Sequence, residues 1–175
     1  MPLETRIRPA ERKDLQRLNE IYNWAVLHTA ATFDLEERTV EQNEQWFVSH
    51  QTSFYPLYVV ETNKNVLGWG SLSPFHPREA YRLTGEFSIY LAPEYHGKGV
   101  GNLLLQHLCQ CAQMLGYHSL IGLITATNLA SLGLAKKHGF LQVGCFHEVG
   151  RKFEQWLDVI VVQKNIHSSQ FTPVT

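Results

Sequence analysis

The stretch "HGKGVGNLLLQHL", residues 96–108, places three glycines at alternate positions directly before a leucine-rich run. Because glycine has no Cβ, Gly97, Gly99 and Gly101 can adopt positive φ and let another molecule approach the backbone closely. The leucine-rich run predicts a helix over Leu103–Leu115. The glycine loop therefore presents unpaired N–H groups at a helix N-terminus. With the strand predicted at residues 85–93, the chain is expected to run from strand through this loop into the helix.

The glycine loop is a candidate anion site. Its N–H groups, the positive end of the helix dipole and Lys98 together suit a pyrophosphate. The loop is not a P-loop, because no Gly-Lys-Ser/Thr follows four variable residues after a first glycine. A dinucleotide fingerprint is disfavoured too, since its third glycine would fall on Asn102. A tight turn with a solvated Lys98 is the alternative that the local sequence leaves open.

Composition excludes several classes of protein. The 175 residues are 44% hydrophobic and 18% charged, as expected for one soluble domain. Lys and Arg number 15 against 16 Asp and Glu, a balance that argues against a general nucleic-acid binder. The three cysteines and nine histidines show neither a disulfide framework nor metal-ligand spacing, so no metal is predicted. Because no leader segment or membrane span is recognisable, the expected location is the cytoplasm, with no membrane partner.

Helical and strand patterns alternate along the chain, and no internal repeat or linker divides it. Strands are predicted at Thr5–Arg8 and at residues 55–62, 65–75, 85–93, 118–125, 140–150 and 156–163. Helices are predicted at residues 14–28 and 38–50, over Leu103–Leu115 and from Asn128 to Gly139. Thr39 and Gln42 have the spacing of a capping box, and Gly116 is placed to stop the third helix. One domain over residues 1–166 and a polar, frayed tail over residues 167–175 are expected.

Residues 96–101 resemble motif A of the GNAT acetyltransferases, written Q/R-x-x-G-x-G/A, with His96 where the family usually has Gln or Arg. The later stretch "NLASLGLAKKHGF" resembles motif B, with Asn128 at its start and Gly139 closing its helix. Three further stretches are similar to the phosphinothricin N-acetyltransferase branch of that family: residues 21–39, 80–101 and 153–163. Together these stretches cover nearly the whole chain.

This resemblance implies a GNAT acyl-CoA N-acyltransferase fold of the α/β (α+β) class. Such a fold has a mixed, twisted sheet with helices on both faces, and its central strands splay to admit acetyl-CoA. The implied cofactor-binding residues are Ile89, Tyr90, Leu91, Gly97, Lys98, Gly99, Val100, Gly101, Asn102 and Asn128. In the family the glycine loop binds pyrophosphate, and the backbone of the three strand residues pairs with the pantetheine arm like an added strand. For Tyr90, core packing is the competing interpretation. The resemblance also implies a homodimer.

Glu86 is the candidate general base. It alternates with Phe87, Ile89 and Leu91 along the predicted strand, so its carboxylate faces away from their side chains. An α-amino group with a pKa of about 8 is largely protonated near neutrality, so a base contributes even when it acts through water. The catalytic glutamate of the family falls on this position. A surface glutamate on an edge strand is the alternative.

One position departs from the family pattern. Four residues before Gly139, many GNAT enzymes carry a tyrosine as general acid and the phosphinothricin branch carries a histidine, but this chain has Ala135. Nearby His138 is predicted to be an exposed histidine at the helix C-terminus. Catalysis is then expected to rest on Glu86, ordered water and the acidity of the thiol leaving group.

Substrate recognition is predicted in two loops, where Arg78 and Arg82 could clamp an acidic oxygen while Tyr81 and Phe33 cover the aliphatic part. Solvated loop arginines are the alternative. The expected reaction is direct N-acetylation of a small amino acid or analogue, of the phosphinothricin or methionine sulfone and sulfoximine type. No nucleophilic Cys–His pair is recognisable, which disfavours a covalent enzyme intermediate. Acetylation of a polyamine or a peptide N-terminus, and a non-catalytic acyl-CoA sensor, are the competing functions.

Overall fold

A computed structural model describes residues 4–63 and 65–166, so the tail predicted at residues 167–175 lies outside the described part of the chain. The strands are β1 (Arg6–Pro9), β2 (Leu57–Thr62), β3 (Asn65–Pro74), β4 (Thr84–Leu91), β5 (Ser119–Thr125), β6 (Leu141–Lys152) and β7 (Gln155–Asn165). The α-helices are α1 (Leu15–His28), α2 (Val40–Ser49), α3 (Val100–Met114) and α4 (Leu129–Lys137). None of these helices is long and apolar enough to cross a membrane.

Local signals set the helix ends. The Thr39 side chain accepts a hydrogen bond from the Gln42 N–H, and the reciprocal bond completes the predicted capping box of α2. Gly116 stops α3 with φ of 79°, as predicted. The helix itself begins at Val100, earlier than predicted, because Gly99 forms its N-cap in the left-handed region with φ of 82°. The glycine loop and the helix are therefore one continuous structure.

One sheet of seven strands, in the order β1-β2-β3-β4-β5-β7-β6, forms the centre of the molecule. All neighbouring strands are antiparallel except β4 and β5, which are parallel. The β4–β5 ladder holds only from Thr84↔Ser119 to Glu86↔Ile121, although β4 continues to Leu91 and β5 to Thr125. The two central strands diverge beyond Glu86, which confirms the splay predicted for a mixed sheet.

Helices cover both faces of this sheet, as predicted. On the face of α1 and α2, called here the α1–α2 face, Leu18, Phe47 and Trp69 belong to one buried cluster. On the other, called the α3–α4 face, Leu108 and Phe140 lie in a second cluster. Burial of these apolar side chains supplies the main force that holds the helices against the sheet.

Candidate active site

The glycine loop forms an open cradle of backbone N–H groups. Gly97 has φ of 70° and Gly99 has φ of 82°, and a Cβ at either position would meet no atom within 4 Å. The N–H groups of Gly97, Gly99, Val100 and Gly101 donate to no other group among the described residues. Free N–H groups at the N-terminus of a long helix, with open space in front of them, fit a pyrophosphate.

Gly101 has a different role from the two loop glycines. It is the second residue of α3 and its φ is not positive, so it does not use the freedom that the sequence offered. A Cβ at Gly101 would lie 3.3 Å from the Leu134 side chain of α4 and 3.6 Å from that of Leu91. Its missing side chain therefore allows α3 and α4 to pack closely. Lys98 is exposed, with Nζ 5.5 Å from the centre of the Tyr95 ring, and can reach toward an anion in the cradle.

The first turn of α3 is joined to the end of α4. Asn102 Oδ1 accepts a hydrogen bond from His138 Nε2 at 3.0 Å, and the His138 carbonyl accepts one from Lys164 Nζ at 2.7 Å. His138 is half-buried, so the prediction of an exposed histidine is wrong. Burial and two neighbouring lysines lower its pKa. Asn128 caps α4 through Oδ1, which accepts from the Ser131 N–H at 3.2 Å and leaves the Asn128 amide protons for a ligand.

The edge of β4 that faces β5 is free beyond Glu86, the residue at which the two strands diverge and which is called here the vertex of the splay. Phe75 N–H donates to the Thr84 carbonyl at 3.4 Å, and Ala92 N–H donates to the Leu67 carbonyl at 2.9 Å. The β3–β4 register between these two bonds has no shift. Since hydrogen-bonded pairs alternate in an antiparallel ladder, the even-numbered residues of β4 bond β3 and the odd-numbered ones point toward β5.

Two of the three predicted pantetheine-binding residues therefore offer backbone groups to the opening, namely Ile89 and Leu91. The Tyr90 backbone points to β3 instead, which differs from the prediction. The Tyr90 ring packs against Trp69, with 4.8 Å between ring centres, and against Tyr22, with 5.0 Å. Core packing, the competing interpretation of Tyr90, thus describes its side chain.

Glu86 stands at the vertex of the splay, as the last residue of β4 that pairs with β5. Its side chain lies on the α1–α2 face, because the next residue, Phe87, packs into the cluster on the other face. Burial raises the pKa of this carboxyl group. No side chain among the described residues forms a hydrogen bond or ion pair with it. A half-buried carboxylate without a partner is available to take a proton.

Ser73 and His50 lie beside Glu86, and sequence reasoning missed both. Ser73 pairs directly with Glu86 across β3 and β4, so the two side chains share a face. His50 Nδ1 donates to the Trp46 carbonyl at 2.9 Å, so Nε2 accepts from the Ser73 hydroxyl at 3.0 Å. Burial lowers the pKa of His50, which favours its neutral form. His50 follows the end of α2 and Ser73 lies in β3, so no short sequence motif indicates that the two side chains meet.

A second feature is the segment of residues 30–34, called here the crossing segment, between α1 and α2, in which the sequence predicts Phe33 as a substrate residue but not the contacts that hold the backbone. Three successive carbonyls in it accept hydrogen bonds from side chains on three different strands. The donors are Thr125 of β5 to Ala30, Tyr90 of β4 to Ala31 and Lys152 of β6 to Thr32. Because β4 and β5 have diverged at this level, the crossing segment bridges their opening on the α1–α2 face. It therefore covers the opening on the face of the sheet that carries the Glu86 side chain.

Lys152 holds the crossing segment from β6 through a buried charged group. It is 4% exposed, its Nζ donates to the Thr32 carbonyl at 2.8 Å, and burial lowers its pKa. Tyr22 adds a second support, because its hydroxyl donates to Asp34 Oδ2 at 2.6 Å and lies 2.9 Å from Thr32 Oγ1. These contacts fix the conformation of the segment, since three of its carbonyls, the Thr32 hydroxyl and the Asp34 carboxylate each have a specific partner.

The predicted substrate residues fall into two separate groups. Phe33 belongs to the crossing segment and lies flat against β6, where any side chain at Gly150 would overlap its ring. The other three, Arg78, Tyr81 and Arg82, are exposed on the loop between β3 and β4. No hydrogen bond or ring contact joins Phe33 to that loop among the described residues. Arg82 Nη1 lies 3.6 Å from Glu79 Oε1, an exposed ion pair that a substrate anion can displace.

Ala135 is buried in the core rather than lining the opening. It is 1% exposed and belongs to the cluster on the α3–α4 face. A histidine or tyrosine side chain at this position would have to displace core neighbours such as Phe140 and Leu108. The family's second proton-transferring residue therefore has no counterpart at this position, and no other side chain of α4 replaces it there.

Comparison with known proteins agrees with this geometry. A family model described as "Acetyltransferase (GNAT) domain" matches residues 7–161, and the chain belongs to the GNAT acetyltransferase family. L-Methionine sulfoximine/L-methionine sulfone acetyltransferase of Salmonella typhimurium is 37% identical over 159 residues, covering 90% of this chain and 92% of that protein. Phosphinothricin N-acetyltransferase of Streptomyces coelicolor is 35% identical over 159 residues, covering 89% of this chain and 93% of that protein.

A solved structure shows the same fold with acetyl-CoA. The crystal structure of a GNAT superfamily phosphinothricin acetyltransferase from Sinorhizobium meliloti in complex with acetyl-CoA superposes with a TM-score of 0.92. Its sequence is 31% identical, and the match covers 99% of this chain and 94% of that one. The protein is accordingly an N-acetyltransferase that uses acetyl-CoA, and the open glycine cradle and the free strand edge suit that molecule.

Proposed function

We propose that the protein acetylates the amino group of a small amino acid or analogue directly, with Glu86 as the general base. The observation that carries this proposal is the position of Glu86 at the vertex of the splay, half-buried and without a partner, between the free edge of β4 and the crossing segment. Acetyl-CoA supplies an activated thioester carbonyl at this vertex. The groups of the chain hold it, receive the amine proton and exclude water.

Binding of acetyl-CoA is assigned to backbone groups. The N–H groups of Gly97, Gly99, Val100 and Gly101 receive the pyrophosphate, with Lys98 as a charged neighbour. The odd-numbered edge of β4 pairs with the extended pantetheine arm, as a strand edge does with an added strand. Asn128 offers its amide protons from the end of the opening. This arrangement directs the thioester toward Glu86.

Proton transfer is assigned to Glu86. The carboxylate takes a proton from the substrate ammonium, directly or through one water, and the freed nitrogen attacks the carbonyl carbon. A C–N bond forms as the C–S bond breaks, and the second proton of the attacking nitrogen passes to the leaving thiolate, directly or through water, so that CoA leaves as the thiol. No nucleophile of the chain is required, so both substrates must be bound together. Ser73, held by His50, lies beside the carboxylate and fixes the polar surroundings on that side.

The substrate class rests on the relatives and on the exposed arginines. The Salmonella typhimurium relative acts on methionine sulfoximine and sulfone, and the Streptomyces coelicolor relative acts on phosphinothricin. Arg78 and Arg82 lie on the loop that leads into β4 and can pair with the acidic oxygens of such molecules. Phe33 and Tyr81, at 36% and 42% exposure, offer the apolar surface for the side chain.

The test is thiol release from acetyl-CoA with a panel of amines. Methionine sulfoximine, methionine sulfone and phosphinothricin are expected to give the highest kcat/KM, with a polyamine and a peptide N-terminus well below them. Preference for a polyamine or a peptide would contradict the substrate class while leaving acetyl transfer intact. Binding of acetyl-CoA without thiol release for any amine would support the sensor alternative and contradict the catalytic proposal.

We also propose that the enzyme is a homodimer. Support comes from large apolar side chains left exposed on β6 and β7, among them Val143, Phe146, Val149 and Trp156. Several large apolar side chains left exposed on two neighbouring strands favour an association surface there. Sedimentation equilibrium is expected to give the mass of two chains. A particle with the mass of one chain at micromolar concentration would contradict the dimer.

A further inference from the structure

Three side chains with metal-binding atoms meet on β6 and β7, away from Glu86. The Sγ of Cys145, a ring nitrogen of His147 and a carboxylate oxygen of Asp158 all lie within 4.8 Å of one another. The Cys145 Sγ to His147 Nδ1 distance is 3.8 Å, and Nδ1 lies 3.1 Å from Asp158 Oδ2. No sequence pattern indicates this group, because the pairing of the two strands, rather than ligand spacing along the chain, brings it together.

Two of the three separations of these atoms are close to those around one tetrahedral ion. With Zn–S of about 2.3 Å and Zn–N or Zn–O of about 2.0 Å, neighbouring ligand atoms lie roughly 3.3–3.5 Å apart. The 3.8 Å and 3.1 Å separations differ from that range by a few tenths of an ångström, and the third lies within 4.8 Å, so side-chain rotations must bring the three atoms around the ion. A water molecule would complete the coordination. A thiolate with an imidazole favours zinc over magnesium or calcium, which prefer oxygen ligands.

The carboxylate is already oriented for such a role. Glu148 lies in the left-handed region with φ of 48°, and its N–H donates to Asp158 Oδ1 at 2.8 Å. This bond occupies one carboxylate oxygen and leaves Oδ2 facing His147. Hydrogen bonds that hold the non-coordinating atom of a ligand are the usual second layer of protein metal sites.

The group lies on the opposite face of the sheet from the base. Cys145 pairs with Ile160, which packs into the cluster on the α3–α4 face, and Asp158 lies two residues before Ile160 on β7. The Asp158 carbonyl accepts the Ala126 N–H at 2.9 Å, at the turn that leads to Asn128. An ion here would join β6 to β7 directly behind that turn.

We propose that Cys145, His147 and Asp158 bind one Zn²⁺ ion per chain, and that this ion stabilises the fold instead of taking part in acetyl transfer. On binding, the S–H bond of Cys145 breaks and its proton goes to solvent, and the thiolate, the imidazole and the carboxylate then donate electron pairs to the ion. The ion stabilises the folded chain by an amount that grows with the logarithm of the free ion concentration above Kd, as any ligand of the folded state does.

Cobalt titration tests the site. The full chain is reduced with a non-thiol reductant, freed of metal with a chelator, and titrated with Co²⁺ alone. One ion per chain is expected, with a thiolate-to-cobalt absorption band and the visible bands of a tetrahedral site, all displaced by Zn²⁺. Cys145→Ser is expected to lose the thiolate band and to weaken Zn²⁺ binding about tenfold or more, and His147→Ala to weaken it similarly.

Cys109→Ser is the matched control, because Cys109 is a half-buried thiol on α3, outside the group. It is expected to bind Co²⁺ like wild type, and thiol release without added metal should be unchanged in the Cys145 and Cys109 variants, which shows that they are folded. One equivalent of Zn²⁺ should raise the melting temperature of wild type and Cys109→Ser but not of Cys145→Ser. A wild-type spectrum without a thiolate band, or unaltered binding by Cys145→Ser, would overturn the proposal.

Discussion

The two sides of the opening between β4 and β5 are built in different ways. On the cofactor side, the cradle consists of backbone N–H groups and two glycines with positive φ, all within residues 97–101. On the amine side, the crossing segment is held by side chains that are far away in sequence. Thr125 and Lys152 are separated from their partners in the crossing segment by 95 and 120 residues. On the proposed assignment, cofactor binding is thus encoded locally, whereas amine binding depends on the assembled sheet.

This difference predicts which substitutions affect which substrate. Changes within the glycine loop should act on acetyl-CoA alone, because nothing on the amine side contacts it among the described residues. Changes at the distant anchors of the crossing segment should act on the amine and leave acetyl-CoA binding intact. Glu86, at the vertex where the two sides meet, should affect the chemical step itself.

The largest effect is expected for Glu86→Gln, which keeps the size of the side chain and cannot take a proton. Loss of a general base costs on the order of 10²–10⁴ in rate, so kcat should fall by that amount. Acetyl-CoA affinity, measured by calorimetry, should stay within about twofold of wild type, because the cofactor side consists of backbone groups. A parallel loss of acetyl-CoA binding would show that Glu86 belongs to the cofactor side and would contradict the division.

Stability supplies a control for the same variant. Burial raises the pKa of Glu86, so the ionised carboxylate destabilises the folded state above that pKa and has no such effect well below its ordinary value. Glu86→Gln removes this cost, so the variant should melt at or above the wild-type temperature at pH 8 and match it more closely near pH 4. A lower melting temperature at pH 8 would indicate a structural carboxylate instead of a base.

The next largest effect is expected for Gly99→Ala. Its φ of 82° costs an L-residue about 1–2 kcal/mol, and the added methyl group enters the open cradle. Acetyl-CoA affinity should fall about tenfold or more, with the amine KM unchanged. Gly133→Ala, in α4 and also free of neighbours within 4 Å, is the matched control and should bind acetyl-CoA normally. Equal affinities for both variants would contradict the pyrophosphate assignment.

Lys152→Met should act on the other side. It removes the charged donor to the Thr32 carbonyl while keeping much of the buried chain, and hydrogen bonds of charged groups are worth about 1.5–3 kcal/mol. The amine KM should rise about tenfold, with the KM for acetyl-CoA unchanged. Lys164→Met is the control, because Lys164 donates to the His138 carbonyl on the cofactor side. If both lysine variants change the same KM, the two sides are not independent.

The smallest effect is expected for Arg82→Ala, since this arginine is exposed and already pairs with Glu79. Exposed ion pairs contribute about 0.2–1 kcal/mol, so the KM for an acidic amino acid should rise about two- to fivefold and that for a simple amine should not change. Glu79→Gln should lower the same KM slightly, because it frees the arginine. Equal changes for both substrates would remove Arg82 from the list of substrate ligands.

The sequence predicts the locally encoded features well. The capping box of Thr39 and Gln42, the Gly116 stop and the order of helices and strands depend on short spacings, and the structure confirms them. The family resemblance is likewise confirmed, since the GNAT family model matches residues 7–161. Positive φ at Gly101 is the part of its prediction that is wrong, because a glycine required for helix packing has the same sequence appearance as one that turns the backbone.

Features that depend on tertiary contacts could not be predicted. The link of His138 to Asn102 crosses from α4 to α3, and the burial of Ala135 depends on neighbours from several elements. The crossing segment contains small residues with no motif, and its role follows only from the strands that donate to it. Periodicity locates helices and strands, but it does not say which side chains meet across 100 residues.

The central claim is that Glu86 accepts the amine proton, and the pH dependence of kcat/KM tests it most directly. Wild type should gain activity as pH rises through the raised pKa of Glu86, because only the carboxylate is a base. The ratio of wild type to Glu86→Gln should be largest between that pKa and the amine pKa of about 8. The ratio should then shrink at higher pH, where free amine forms without help. If Glu86→Gln keeps the wild-type kcat/KM at about pH 6.5, Glu86 is not the base.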